Sequence, residues 1–133
     1  LGRIQHYLPA EEIILKEKKI KSEKDSSRII ANDSARLLAR VKQEDNLVLL
    51  DPDGKLMSSL EIAGWLKNRM NSGVKSIVFG LGGPLGLDQT VRKRADLRLS
   101  LSPMTFTHEM ARLIILEQIY RALRLNAGHP YHR

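Results

Sequence analysis

The 133 residues are 42% hydrophobic, which is enough for one domain with a modest core and too apolar for a disordered chain. There is no cysteine, no run near the roughly 20 apolar residues of a membrane span and no signal-peptide pattern; this argues against disulfides, thiolate metal sites and membrane insertion, and a cytoplasmic protein is expected. A net charge of +7, from 22 Lys and Arg against 15 Asp and Glu, favours an anionic partner, nucleic acid first, whereas one Trp, three Tyr and two Phe are too few for a single-strand stacking platform.

In chain order, residues 11–15 (Glu-Glu-Ile-Ile-Leu) form a short strand candidate, followed by a charged run over 16–24 that reads as a solvated loop. Ser26 or Ser27 caps a helix whose apolar stripe is Ile30, Leu37, Leu38 and Val41, and Asp45-Asn46 ends it. Leu47-Val48-Leu49-Leu50 is apolar without alternation, which suits a strand buried on both faces of a parallel sheet. Asp51-Pro52-Asp53-Gly54 then makes a turn.

Ser58 and Glu61 have capping-box spacing and open a helix that buries Ile62 or Ala63 with Leu66 and Met70, and Gly73 closes it. Residues 76–79 are the next strand, and Asp88 caps a short basic helix carrying Arg92, Lys93 and Arg94. Residues 97–101 form a further strand. A long helix follows over about 107–125, with Met110, Leu113, Ile114, Leu116, Tyr120 and Leu123 apolar and Glu117 and Arg121 paired at i,i+4. Trp65 and Tyr120 read as packing residues. Strands alternating with helices predict an α/β layer fold with a mainly parallel sheet flanked by helices.

Two loops invite a ligand. Gly80-Leu81-Gly82-Gly83-Pro84-Leu85-Gly86 carries four glycines at a strand end, where α/β proteins commonly bind nucleotide-like molecules. It is not a Walker loop, because Leu87 rather than Lys follows Gly86. Nor is it a dinucleotide fingerprint, because Leu85 stands where the third glycine belongs. Pro84 removes an N–H donor, which further weakens a phosphate cradle. A ligand held by backbone contacts and apolar walls, such as an adenosine or a sulfonium, remains open. The second loop, over 99–112, is rich in small residues and leads into the longest helix; on chemistry alone it is equally a plain connection.

Five segments in collinear order carry a resemblance: Leu49-Leu50-Asp51-Pro52-Asp53-Gly54-Lys55, Gly82-Gly83-Pro84-Leu85-Gly86-Leu87, residues 99–108 (Leu-Ser-Leu-Ser-Pro-Met-Thr-Phe-Thr-His), Leu116-Glu117-Gln118-Ile119-Tyr120-Arg121-Ala122 and His129-Pro130-Tyr131-His132-Arg133. Together they resemble the ribosomal RNA large subunit methyltransferase H family, minimal SPOUT methyltransferases. The resemblance implies transfer of a methyl group from S-adenosylmethionine to N3 of a pseudouridine in 23S rRNA, on the assembled ribosome. It also implies a homodimer and a deep C-terminal trefoil knot, an exception to the rarity of knots. The cofactor contacts it implies are Leu50, Gly82, Leu101, Ser102, Pro103, Met104, Thr105 and Phe106, with Tyr131, His132 and Arg133 helping to form the site. Two departures accompany it. Thr107 stands where the family usually has proline, and the chain is expected to be one domain lacking the family's first strand and most of its first helix.

Methyl transfer to an imide nitrogen needs positioning and a base for the departing proton. His108, His129 and His132 are the histidines considered, with His132 and Arg133 assigned through the resemblance. His108, near a helix N-terminus, either serves as that base or simply closes the helix end. Arg92, Lys93, Arg94 and Arg112 are candidate phosphate contacts, with a solvated basic face as the bland alternative. The competing functional reading is a non-enzymatic RNA-binding module of the same fold.

Overall fold

The computed structural model describes residues 1–13, 26–82 and 86–128. Along them run α1 (Gly2–Gln5), α2 (Ser26–Leu38), β1 (Asn46–Leu56), α3 (Ser59–Asn71), β2 (Ile77–Gly80), α4 (Gln89–Arg94), β3 (Leu97–Ser100) and α5 (His108–Asn126). The three strands are parallel in the order β2-β1-β3, and helices cover both faces, as the alternating pattern predicts.

β1 lies at the centre because Leu47, Val48 and Leu49 can be buried from both sides. Successive side chains point to opposite faces. Val48 therefore joins Ile62, Leu66, Leu99, Ile115 and Leu123 beneath α3 and α5, while Leu47 and Leu49 join Val91, Leu37 and Leu38 beneath α2 and α4.

Local signals set the helix ends. Ser58 N donates to Glu61 Oε1 at 2.9 Å and Glu61 N donates to Ser58 Oγ at 3.1 Å, which completes the expected capping box. Asp88 accepts from Thr90 N at 3.0 Å and Val91 N at 3.4 Å. Beyond α3, Gly73 adopts φ +82°, a left-handed conformation that suits glycine just past a helix end. The one-turn α1 has no periodic signal of its own. It forms because Ile4 is buried in the core and the Arg3 guanidinium sits 5.5 Å from the centre of the Tyr120 ring.

Several expectations are corrected. Residues 11–13 have no regular structure, and the rest of the strand candidate, with the charged run after it, lies outside the described residues. α2 ends at Leu38, before Asp45, because the Asp45 carboxylate accepts from Lys42 N at 2.8 Å and closes a turn instead. Val41, off the helix, still packs against the Leu47 cluster. Met70, expected on the buried face, is exposed, as are the apolar Met110 and Leu113; Ile62, Ala63 and Leu66 on α3 and Ile115, Ala122 and Leu123 on α5 form the covered stripes.

The turn expected at Asp51-Pro52-Asp53-Gly54 does not end its strand. β1 pairs Leu50 with Leu99, swings out over residues 51–54, then pairs Lys55 with the same Leu99. The excursion is pinned from within and from β3. Asp53 N donates to Asp51 Oδ1 at 3.0 Å, and Ser100 Oγ donates to the Pro52 carbonyl at 3.0 Å. The Arg98 Nε and terminal nitrogen lie 3.0 and 2.8 Å from Asp51 Oδ2, and Arg92 Nε lies 3.5 Å from it.

Asp51 is buried. Burial pushes its carboxyl upward, but the Asp53 N–H, the Arg98 hydrogen bonds and the charges of Arg98 and Arg92 outweigh it and hold the group below the ordinary aspartate value. At Gly54 a β-carbon would lie 2.5 Å from the Arg98 carbonyl oxygen, so the strand can rejoin β3 only with glycine there.

Gly54→Ala is therefore expected to destabilise the protein by roughly 1–3 kcal/mol in urea denaturation, because the obstructing atom is backbone; an unchanged midpoint would mean that the ladder relaxes freely. Because the folded carboxyl of Asp51 titrates below its unfolded value, its contribution to stability is complete above about pH 4 and fades as the pH falls through the depressed value. Asp51→Asn should accordingly be less stable than the wild type near neutral pH, with the gap narrowing as the pH falls through the depressed value; a gap independent of pH would contradict this role.

Candidate active site

The sheet is parallel, so its three strands present their carboxyl ends along one edge. Leu50 is the last residue of β1 before the excursion, Leu81 and Gly82 follow β2, and Leu101 and Ser102 follow β3. All five are half-buried at this edge, whereas Pro103, Met104, Thr105 and Phe106 are exposed, Met104 at 70%. The described cofactor candidates thus fall on three neighbouring strand ends.

One contact ties two of these ends together. His108 Nδ1 lies 3.0 Å from the Gly82 carbonyl oxygen. A carbonyl can only accept, so Nδ1 carries the hydrogen, and a neutral ring then leaves the Nε2 lone pair free. The bond joins the glycine turn to the first residue of α5, across the mouth of the 101–106 loop.

Thr107 defines that mouth. Its backbone is extended (φ −61°, ψ 156°) and its hydroxyl accepts from Met110 N at 3.3 Å, so it serves as the N-cap of α5. A proline here would keep the φ and lose the cap. Within the loop, Ser102 Oγ accepts from Met104 N at 3.0 Å.

Gly82 plays a tighter part than an open ligand wall. A β-carbon there would meet the Leu87 side chain at 3.0 Å and the Gly86 backbone at 3.3 Å, so the turn is packed against its own return limb. Gly86 adopts φ +82°. Gly83, Pro84 and Leu85 lie outside the described residues, as do His129, Tyr131, His132 and Arg133.

Beside Leu101 the structure has a cleft of about 250 Å³. Met57, Ser58, Ser59, Ile62, Ser100, Leu101, Ile114 and Gln118 line it. Of the expected cofactor residues, Leu101 alone lines it, so it adjoins the 101–106 loop from the α3 side. The Ser59 hydroxyl donates to Gln118 Oε1 at 2.6 Å across it. Neither Ser59 nor Gln118 is among the site residues expected from the sequence, although Gln118 lies in a segment that carries the resemblance and Ser59 in the serine pair that opens α3.

The candidate RNA contacts are mostly engaged within the protein. Arg92 faces Asp51, and Arg94 bonds Asp96 at 3.1 Å and the carbonyls of Lys42 and Asp45 at 2.9 and 2.8 Å. Lys93 is exposed. Arg112 grips Glu12 with both arms of its fork, Nε to Oε2 at 2.7 Å and a terminal nitrogen to Oε1 at 2.8 Å. Among the described residues, no group of three or more His, Asp or Glu side chains could hold a metal ion, and no helix is long and apolar enough to cross a membrane.

A family model described as "Predicted SPOUT methyltransferase" matches residues 1–132. Curated relatives named ribosomal RNA large subunit methyltransferase H align along nearly the whole chain. The protein from Christiangramia forsetii is 40% identical over 130 residues, covering 98% of this chain and 83% of its own length. That from Solidesulfovibrio magneticus is 42% identical over 132 residues, covering 99% and 84%. That from Desulfotalea psychrophila is 43% identical over 133 residues, covering 100% and 85%.

Replacing the α5 cap, Thr107→Ala, is expected to lower stability by about 1 kcal/mol in denaturant titration, while Thr107→Ser retains most of it. Equal loss in both variants would show that the hydroxyl does not cap the helix.

Proposed function

The chain belongs to the SPOUT methyltransferases, and from that premise we propose that it methylates N3 of a pseudouridine in 23S rRNA, on the assembled ribosome, with S-adenosylmethionine as donor. The relatives' names support the ribosomal RNA substrate. The single observation that carries the site is the His108–Gly82 bond, which draws the glycine turn and the start of α5 together at the carboxyl edge of a parallel sheet.

The residues at that edge suit such a donor. Leu50 and Leu101 offer half-buried apolar walls, and Met104 and Phe106 stand exposed beside them, ready to cover a purine. We assign Leu50, Gly82 and residues 101–106 to holding the cofactor, with the deep knot that the family implies bringing the C-terminal Tyr131, His132 and Arg133 to the same place. When bound, S-adenosylmethionine supplies an electrophilic methyl group on a sulfonium.

In this reading His108 is the base. Gly82 fixes the hydrogen on Nδ1, which leaves the Nε2 lone pair as the basic site for the target nucleotide's proton. There Nε2 would take up the N3 proton as the target nitrogen received the methyl group that the bound sulfonium would supply. Lys93 and Arg112 are the cations assigned to RNA phosphate, with Arg92 and Arg94 adding to the positive field. Exposed Met110 and Leu113, at i,i+3 on α5, form the apolar strip assigned to the second copy of a homodimer.

The test is incorporation of labelled methyl groups into ribosomes lacking the modification, together with calorimetric titration of S-adenosylmethionine. The wild type should bind the cofactor and label the 23S rRNA. His108→Asn, whose amide can still donate to the Gly82 carbonyl but carries no basic nitrogen, should keep cofactor binding and lose roughly 100-fold or more in transfer rate. RNA binding without cofactor binding or label would instead favour a non-enzymatic module.

A further inference from the structure

The bidentate pair between Arg112 and Glu12 joins positions 100 residues apart. It sits at a telling place. Arg112 is four residues after His108 on α5, so it lies on the same face of the helix, roughly 6 Å further along the axis. An anion held there would be one helical turn from the ring that bonds Gly82.

The chemistry of the pair is that of an anion site already in use. A guanidinium fork matches the two oxygens of a carboxylate and of a phosphodiester alike. The Arg112 side chain is 44% exposed and that of Glu12 25%, so the pair lies at the protein surface. The hydrogen bond and charge of Arg112 hold the Glu12 carboxyl below the ordinary glutamate value. Glu12 belongs to a stretch without regular structure, and its neighbours Glu11 and Ile13 are exposed. Exposed ion pairs of this kind are weak and readily outcompeted by a polyanion.

We propose that the Arg112 fork is a phosphodiester-binding site for the RNA next to the methylated nucleotide, and that in the free protein Glu12 occupies it as an internal substitute for phosphate. This rests on the RNA substrate proposed above. Docking of the RNA exchanges one anion for the other, and Glu12 swings away with its segment. The exchange discriminates as well as binds. A ligand must carry an anion at the right distance from the target base to displace Glu12, so weak contacts elsewhere do not open the site.

The experiment measures binding of the intact protein to large ribosomal subunits that lack the modification, by co-sedimentation across a salt series, with methyl incorporation read on the same samples. Glu12→Gln should tighten binding roughly two- to fivefold at low salt, the gain expected from relieving one exposed ion pair, and steepen the salt slope by up to about 0.9. Arg112→Gln should weaken binding and flatten the slope, and the double variant should match Arg112→Gln alone. Arg112→Lys, which keeps the charge and loses the fork, takes its place if Arg112→Gln does not fold.

Glu11→Gln removes an equal charge from the neighbouring exposed residue and should tighten binding less. The proposal is overturned if Glu12→Gln binds as the wild type does. It is equally overturned if Glu11→Gln tightens as much, or if the double variant keeps the gain. Absence of methyl incorporation by the wild type would sink the enzymatic reading alone, since the binding arms are read separately.

Discussion

The carboxylate of Asp51 is the charge around which the carboxyl edge of the sheet is assembled. It leaves β1 just after Leu50, where the strand begins its excursion, and it gathers Arg98 from β3 and Arg92 from α4. Three elements on two sides of the central strand thus converge on one buried group. A buried carboxylate without partners is strongly disfavoured, so the arginines are required as much as they are attracted. Gly54 and Ser100 complete the arrangement by letting β3 approach the loop closely. If this knot of charge failed, Leu50 and the loop after Ser100 would lose their relative placement, and with it the edge on which the candidate site stands.

That edge explains why basic residues close together in sequence need not act together. Arg92, Lys93 and Arg94 look like one patch, yet Arg92 belongs to the Asp51 cluster and Arg94 clamps the turn before β1. Lys93 points away, exposed. The helix that carries them is only six residues long, its N-cap Asp88 bonds Ser34 of α2, and its Val91 packs with Leu47 and Leu49 of β1. The positive charge of this protein therefore serves two ends at once: part of it builds the scaffold, and part remains to attract an anion.

Much of the architecture is legible in the sequence because its signals are local. The unalternating Leu47-Val48-Leu49 run, the Ser58–Glu61 box, the Asp88 cap and Gly73 each act within a few residues, and each is found as read. What escapes is decided at a distance. Asp51-Pro52-Asp53-Gly54 reads as the end of a strand, and becomes an excursion because Leu99 and Ser100, almost fifty residues later, receive the strand again. Met70, Met110 and Leu113 satisfy helical periodicity, but periodicity cannot say which part of an apolar stripe another element will cover. The pairing of Arg112 with Glu12 has no local trace at all. His108 lies between these cases: its position at a helix start is visible in the chain, whereas the carbonyl that fixes its tautomer comes from another loop.

Leu99 faces β1 twice, once through Leu50 and once through Lys55. In effect the ladder is spliced: its two halves meet at a shared rung and the four residues between them lie outside it. A splice uncouples loop length from strand register. Residues could be gained or lost between Asp51 and Gly54 without sliding Leu47, Val48 or Leu49 onto the wrong face, an error that a one-residue slip would make in an unbroken strand. The sheet can thus vary its rim while holding its interior fixed, which places the freedom to change shape beside the candidate site and away from the core.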